Sequence, residues 1–383
     1  MLLVTRNLPP LLGGMERLNW HMVEELAQFA QTEVVAPQDS LLPPDSGASL
    51  HGTPGRPLWR FLAAAGLRAA QRARRWRPHV VLAGSGLTAP LAWIAAQCCG
   101  ARAAVYLHGL DIGLRHPVYS MLWLPFIRRM DIVIANSNAT REMALGRGIA
   151  SSRIRLLHPG VAAPVPLPPP GPSQAEFRLE HRLDAGPILL SVGRLTERKG
   201  LREFVRDVMP LIAARRPDVQ LVVVGDTAGD ALAARSQSRQ SIMGEAARHG
   251  LGARVHFIGA ITDRAALGAA YRAAALHVFP VRQIEGDPEG FGMVAVEAAA
   301  QGLPTVAYST GGVVDAVSEG VTGYLVPAHN AEAFALKTCD LLEAPLPSAP
   351  MQAFAATFAW PAFGGALRTI LMPPSDAAVD ARA

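Results

Sequence analysis

Short apolar runs alternate with stretches of helical periodicity along almost the whole chain, and no other feature constrains its fold as strongly. Runs at residues 2–5, 33–36, 80–83, 103–107 and 132–136 read as strands in the first half. Runs at 188–192, 221–224, 254–258, 277–280, 304–307 and 323–326 repeat the order in the second. Strands separated by helices cannot pair through tight hairpins. They pair through crossovers, which build parallel sheets covered on both faces. The expected fold class is α/β, with two Rossmann-like domains.

Between the halves lies PGVAAPVPLPPPGPS, where proline after proline fixes φ and removes a backbone donor, so neither a helix nor a central strand runs through it. This places a first domain at 1–165, a proline-rich linker at 166–179 and a second domain at 180–350. A helical stretch at 351–371, containing Trp360, is expected to fold back across the first domain, ahead of a loose tail at 372–383.

At 383 residues, half of them hydrophobic and 17% charged, the chain has material for two sizeable cores. Aromatics make up only 6%, which suits helices packed on strands better than an all-β sandwich. The formal net charge of +5 comes from scattered arginines and does not by itself select among an anionic substrate, a lipid surface and nucleic acid. Cys98, Cys99 and Cys339 form neither a zinc spacing nor a disulfide framework, as expected of reduced cysteines in a cytoplasmic protein. MLLVTRNLPP lacks the long apolar stretch of a signal peptide and reads as a strand. Residues 78–101 carry no Asp, Glu, Lys or Arg, but glycines and a proline divide them into strand, turn and helix, so a buried unit is expected there instead of a membrane span.

In open parallel sheets, ligands gather at the carboxyl ends of strands, and four loops there have suitable chemistry. After the first strand, Gly13 and Gly14 precede an amphipathic helix, where backbone can approach a ligand and free amides can face an anion; a glycine pair at a turn also occurs without any ligand. In SVGRLTERKG a strand ends at Gly193, and Arg194 with Lys199 offers two cations suited to a diphosphate. In GDPEGFGMVAVEAAAQGLP a helix is expected over 291–301, with the amides of Gly290, Phe291, Gly292, Met293 and Val294 at its positive end. Glu289 at that mouth suits sugar hydroxyls, and Glu297 further in suits a ribose; an unpaired glutamate facing the core would be costly. Glu289 as a plain acid at a helix N-terminus is the competing reading. Gly311 and Gly312, in STGG, are expected to add a flexible wall.

The ordered set GGMER, HGLD, ANSN, GRLTERKG, EGFGMVAVEAAAQGLP and STGGVVDAVSEGVTGYLV resembles the retaining family-4 glycosyltransferases of the GT-B fold, across nearly the whole chain. The resemblance implies two Rossmann-like domains facing across a cleft, with a nucleotide-diphosphate sugar held mainly by the second. It implies Arg194 and Lys199 on the diphosphate, Glu297 on the ribose, and Glu289 with the amides after it on the donor sugar. Gly14 would approach the phosphate from the first domain, Ile258 would meet the base through its backbone, and His108 of YLHGLD would lie beside the donor sugar. Glu289, Arg194, Lys199 and His108 are the implied catalytic set. One departure concerns the end of the first domain, where HPGVAA stands in place of the family's Asn-Gly-Val-Asp.

Transfer from such a donor breaks the anomeric C–O bond while negative charge grows on the diphosphate, so paired cations and helix-end amides address the barrier directly. No Asp-x-Asp motif occurs, which fits cationic side chains in place of a metal; no cofactor is expected. Retention of configuration is implied by the resemblance alone. The acceptor is expected to be a glycan or a lipid-linked glycan in surface polysaccharide or lipopolysaccharide assembly. The arginine-rich RPLWRFLAAAGLRAAQRARRWRP and the mixed RHPVYSMLWLPFIRRM suit an anionic membrane surface, and equally suit an ordinary solvated face. The expected place is the cytoplasm or the inner face of the plasma membrane, with no nucleic-acid partner. A non-catalytic carbohydrate- or lipid-binding module, a GT-B epimerase and a phosphorylase share the fold; a nicotinamide oxidoreductase is disfavoured because no Gly-x-Gly-x-x-Gly follows a strand.

Overall fold

The computed structural model describes residues 1–11, 13–114, 116–162, 173–227 and 235–373. The chain forms two compact units: Met1–Gly160 joined by Ala359–Ala383, and Val161–Phe358.

In the first unit the strands are β1 (Leu2–Val4), β2 (Glu33–Pro37), β3 (Ser49–Thr53), β4 (Val80–Ala83), β5 (Arg102–Leu107), β6 (Ile132–Ala135) and β7 (Ile154–Leu156). All pair in parallel, in the order β3-β2-β1-β4-β5-β6-β7. Val80, Val81, Leu82 and Ala83 have no exposed surface, as a central strand covered by helices on both faces requires. The helix Leu58–Trp76 buries Phe61, Ala65, Ala69 and Ala73, four residues apart on one face, which packs on the helix Ala89–Gln97 through small side chains. The apolar run at 78–101 thus folds as β4, a short turn at Gly86–Thr88 and this second helix. Among the described residues no helix is long and apolar enough to cross a membrane.

In the second unit the strands are β8 (Ile188–Val192), β9 (Gln220–Val224), β10 (Val255–Gly259), β11 (Leu276–Phe279), β12 (Thr305–Tyr308) and β13 (Gly323–Val326). They too are all parallel, in the order β10-β9-β8-β11-β12-β13. Both sheets are doubly wound. The order reverses between β1 and β4 in the first and between β8 and β11 in the second, and a crevice opens at the strand ends at each such point.

Several expected boundaries move. The first unit ends at Gly160, not 165. Residues 166–172 of the expected linker lie outside the described residues, but its last part is the helix Gln174–Glu180, closed by a capping box in which Ser173 and Glu176 satisfy each other's backbone amides. The single helix expected at 351–371 is two, Ser348–Ala356 in the second unit and Trp360–Leu371 in the first, with Pro361 in the opening turn of the latter. Trp360 stacks on His21 at 4.0 Å between ring centroids, and a Cβ at Gly160 would meet its indole at 2.2 Å. Arg102 donates to Leu371 O at 2.5 Å, fixing the far end of the same helix. The tail from 374 lies outside the described residues.

Candidate active site

The loops after β8 and β11 are stitched together by backbone. Gly200 adopts φ 69, and a Cβ there would lie 2.2 Å from Pro280 O. Arg282 N donates to Arg198 O at 2.8 Å. Lys199 is therefore delivered to the segment that leaves β11. Behind the loop, Leu195 is buried and its N–H donates to Asp226 O at 2.9 Å. Arg282 lies 3.4 Å from Glu197 and 3.3 Å from Glu203, which tie down the following turn.

A buried charge cluster results. Lys199 Nζ sits 2.9 Å from Glu289 Oε2, and Arg198 Nε sits 3.1 Å from the same oxygen. Arg198 Nη1 also reaches Asp287 Oδ1 at 2.6 Å. Lys199 lies over the Phe279 ring, 4.7 Å from its centroid. Arg194 is exposed, yet its charge acts on both Lys199 and Glu289. Burial pushes the Glu289 carboxyl up, but Lys199, Arg198 and Arg194 together outweigh it and hold the group at about 2. Burial pushes the Lys199 ammonium down, Glu289 pulls it up, and the two arginines push it down again, for a net downward direction. Three cations, Arg194, Arg198 and Lys199, thus face two carboxylates, Asp287 and Glu289. The surplus is positive, at the carboxyl ends of the two strands that flank the reversal of strand order. Such a place suits a dianionic ligand.

Beneath the cluster His277 is fully buried on β11, its Nδ1 3.1 Å from Thr305 Oγ1 and its Nε2 without a hydrogen bond. Burial and the Lys199 charge lower it to about 3, so the ring is neutral.

The helix after the acidic loop is Met293–Ala300, shorter than expected, because Gly292 takes φ 100 and a Cβ there would press the Phe279 ring at 2.9 Å. Phe291 is buried in the core beside Phe358, so any ligand contact it makes comes from its main chain. Glu297 is half-buried instead of core-facing, and its Oε2 accepts from Tyr271 OH at 3.2 Å. Ile258 falls where the β10–β9 register skips a residue, between Phe257 and Gly259, so its main chain stands outside the ladder on an edge strand. Gly193, at φ 142, abuts Gly225, where a Cβ would be 1.9 Å from Gly193 O. The expected wall of Gly311 and Gly312 is a brace. A Cβ at Gly311 would meet Glu289 O at 2.7 Å, one at Gly312 would meet Gly290 O at 2.1 Å, and Gly312 N donates to Glu289 O at 2.9 Å. Arg198 and Asp287, absent from the expected set, are part of the cluster.

His108, Gly13 and Gly14 belong to the first unit. There the helix Gly14–Ala27 follows the loop after β1, with Gly13 at its N-cap. Asn7 Nδ2 donates to Glu16 at 2.7 Å across that loop. Gly84, just past β4, accepts at its carbonyl from Asn19 Nδ2 at 3.3 Å and from His108 Nε2 at 2.8 Å, so the helix after β1 and the loops after β4 and β5 converge on one oxygen. His108 is buried, and its Nε2 is committed to this carbonyl.

Two doubly wound parallel sheets in one chain, each with polar loops converging where its strand order reverses, define the GT-B class of fold. Residues 12–163 match the model for Glycosyltransferase Family 4, and residues 186–344 match the model for Glycosyl transferases group 1. The chain belongs to the family-4 glycosyltransferases. It is 29% identical over 365 residues to the GDP-mannose-dependent alpha-(1-6)-phosphatidylinositol monomannoside mannosyltransferase of Mycolicibacterium smegmatis, covering 92% of this chain and 91% of that one. It is 33% identical over 234 residues to the D-inositol 3-phosphate glycosyltransferase of Mycolicibacterium paratuberculosis, covering 60% of this chain but 49% of the relative. The chain therefore matches about half the length of that relative. Among solved structures, Anabaena HepE in complex with UDP and glucose superposes with a TM-score of 0.77 at 20% identity, covering 97% of this chain and 99% of HepE. Sucrose-phosphate synthase from Thermosynechococcus elongatus gives 0.77 at 22% identity, over 100% and 99%.

Proposed function

We propose that this protein moves a hexose from a UDP- or GDP-sugar to a glycan or lipid-linked acceptor, with retention of anomeric configuration and without a metal. The observation that carries this reading is the buried Arg198–Lys199–Glu289 cluster with Arg194 at its mouth, a cationic surplus at the β8/β11 switch point. As the anomeric C–O bond breaks, negative charge grows on the departing diphosphate. Cations gathered at one strand end, two of them largely buried, stabilise that charge once the donor is bound. Glu289, held ionised, is an acceptor for donor-sugar hydroxyls, and Glu297 and the main chain of Ile258 serve the ribose and base. Because side-chain cations do the work of a Lewis acid, transfer should persist undiminished in EDTA, and a strict metal requirement would contradict this assignment.

Support for a lipid-linked acceptor comes from the first unit. Trp59 and Leu67 stand 68% and 63% exposed on an arginine-rich helix, and Met121 stands 68% exposed on the helix Pro117–Leu122. One of the seven arginines of the 56–78 segment, Arg72, turns inward to pair with Glu33. An enzyme of surface-glycan assembly working at the inner face of an anionic membrane fits such a surface.

Thermal melting with UDP-glucose and with GDP-mannose tests the donor. A ligand at 100 times its Kd stabilises by about 2.7 kcal/mol, a rise of roughly 5–10 °C for a unit of this size. No rise with either would remove the reading. Lys199→Ala and Glu289→Ala should each cut transfer by orders of magnitude while the protein still folds, and near-wild-type rates would reject these roles.

A further inference from the structure

Lys199 is the cation placed to grip a diphosphate, yet here its ammonium is engaged by Glu289 at 2.9 Å. A ligand that draws Lys199 away would leave a carboxylate only 10% exposed without its nearest partner, and an uncompensated buried charge is strongly unfavourable. Arg198 sits where this is prevented. Its side chain, 12% exposed, spans both acids of the loop, with Nη1 on Asp287 and Nε beside Glu289 Oε2. Nη1 also lies 3.4 Å from Pro288 O. The backbone of Arg198 is pinned by Arg282 N at 2.8 Å. Neither Arg198 Nε nor Glu289 Oε2 makes a well-aligned hydrogen bond, so charge, more than direction, holds them together. An arginine fork reaches two carboxylates in one fixed planar geometry, which the compact ammonium of a lysine does not reproduce.

We propose that Arg198 is a positioning residue for the donor site: anchored by Asp287, it holds Glu289 in place and ionised while Lys199 exchanges its carboxylate for the diphosphate. This rests on the donor-site reading above and adds to it an order of events. Besides Lys199 and Arg198, the groups facing Glu289 are Arg194 from the same loop, Asp287 on its own loop, and the Gly311–Gly312 main chain from the loop after β12. Without Arg198, an abandoned Glu289 is buried with only the exposed Arg194 nearby, and it takes up a proton.

The test is isothermal titration of wild type, Arg198→Met and Arg198→Lys with UDP-glucose and GDP-mannose at pH 6.5, in two buffers of different ionisation enthalpy, which counts protons bound. The diphosphate diesters do not titrate near this pH, so the count reports the protein. Wild type should bind without net uptake. Arg198→Met should take up close to one proton and bind about 10- to 100-fold more weakly, the range for losing a charged partner. Arg198→Lys, which keeps the charge and loses the fork, should suppress the uptake while recovering part of the affinity. A residue serving only to fold the loop would weaken binding without moving protons. Uptake by wild type, or binding by Arg198→Met with no uptake, overturns the proposal. If Arg198→Met fails to fold, Asp287→Asn, which removes the 2.6 Å anchor, should give fractional uptake, and an unchanged proton count there is equally fatal. If wild type binds neither nucleotide sugar, the donor-site reading itself falls and takes this inference with it.

Discussion

Gly312→Ala isolates how far the site depends on one backbone contact. Gly312 has φ −77 and ψ −2, which alanine adopts freely, so the cost of the change is steric alone. The new Cβ would lie 2.1 Å from Gly290 O, 2.6 Å from Gly290 C and 2.8 Å from Phe291 Cα. Ordinary contact begins at 3.4 Å, so the 289–291 backbone must retreat by about 1 Å. Overpacking of this kind costs about 1–3 kcal/mol, and loss of the 2.9 Å Gly312 N to Glu289 O bond adds about 1 kcal/mol. A total of about 2–4 kcal/mol lowers the melting temperature by roughly 5–15 °C. The same 1 Å displacement carries Glu289 away from Lys199, and transfer should fall by about 100-fold. Gly244→Ala, in the helix Arg239–Arg248 with nothing within 4 Å of its Cβ, is the control; it should be neutral or stabilising by about 0.5–1 kcal/mol. Melting within about 1 °C of wild type and a rate within about twofold for Gly312→Ala would refute the brace.

Acid should destabilise the second unit in two stages. His277 titrates at 6.5 when unfolded and at about 3 in the fold, so the unfolded chain binds the extra proton and stability falls by about 1.4 kcal/mol per unit as pH drops from 6.5 toward 3. Glu289, at 4.5 unfolded and about 2 folded, contributes stability above pH 4.5 that is lost as pH falls toward 2. Denaturant midpoints across this range check both, and a His277→Gln variant with an unaltered slope above pH 4.5 would discount the histidine. Trp360→Ala removes the stack on His21 and the cover over Gly160; it should cost about 3–5 kcal/mol by chemical denaturation, and an unchanged midpoint would mean that the returning helix is held elsewhere. Sedimentation with anionic vesicles at low salt should capture the protein and fail at high salt, with Trp59→Ala and Leu67→Ala weakening capture; no binding at low salt would discard the membrane surface.

Strands buried on both faces are legible in the sequence, and so are β10 and β13, edge strands of the second sheet that keep apolar runs. Val80–Ala83 and Ile188–Val192 are continuous apolar runs because helices cover them front and back. The two that left no signal are β3 and β7, which lie at the sheet edges. SLHGT is largely polar and IRL is three residues long, since an edge strand can face solvent. The helix Gln174–Glu180 had a local signal, Ser173 followed three residues later by Glu176, but the prolines before it masked the capping box.

The chemistry at the second unit's strand ends divides in the same way. Residue types and their place after strands pointed to Arg194, Lys199 and Glu289, because glycines and charges at a strand-to-helix turn have few structural uses. That Lys199 and Glu289 touch and that Arg198 and Asp287 join them follow from the backbone lock between Gly200 and Pro280, and that Phe291 turns into the core beside Phe358 is likewise a tertiary outcome. The order of the amino acids alone determined two α/β units and the kinds of charged group at their strand ends, because periodicity and turn chemistry are local properties. Only the tertiary structure decided which cation meets which acid and which charges lose their water, because residues about ninety positions apart are brought within 3 Å by the crossover that sets β11 beside β8.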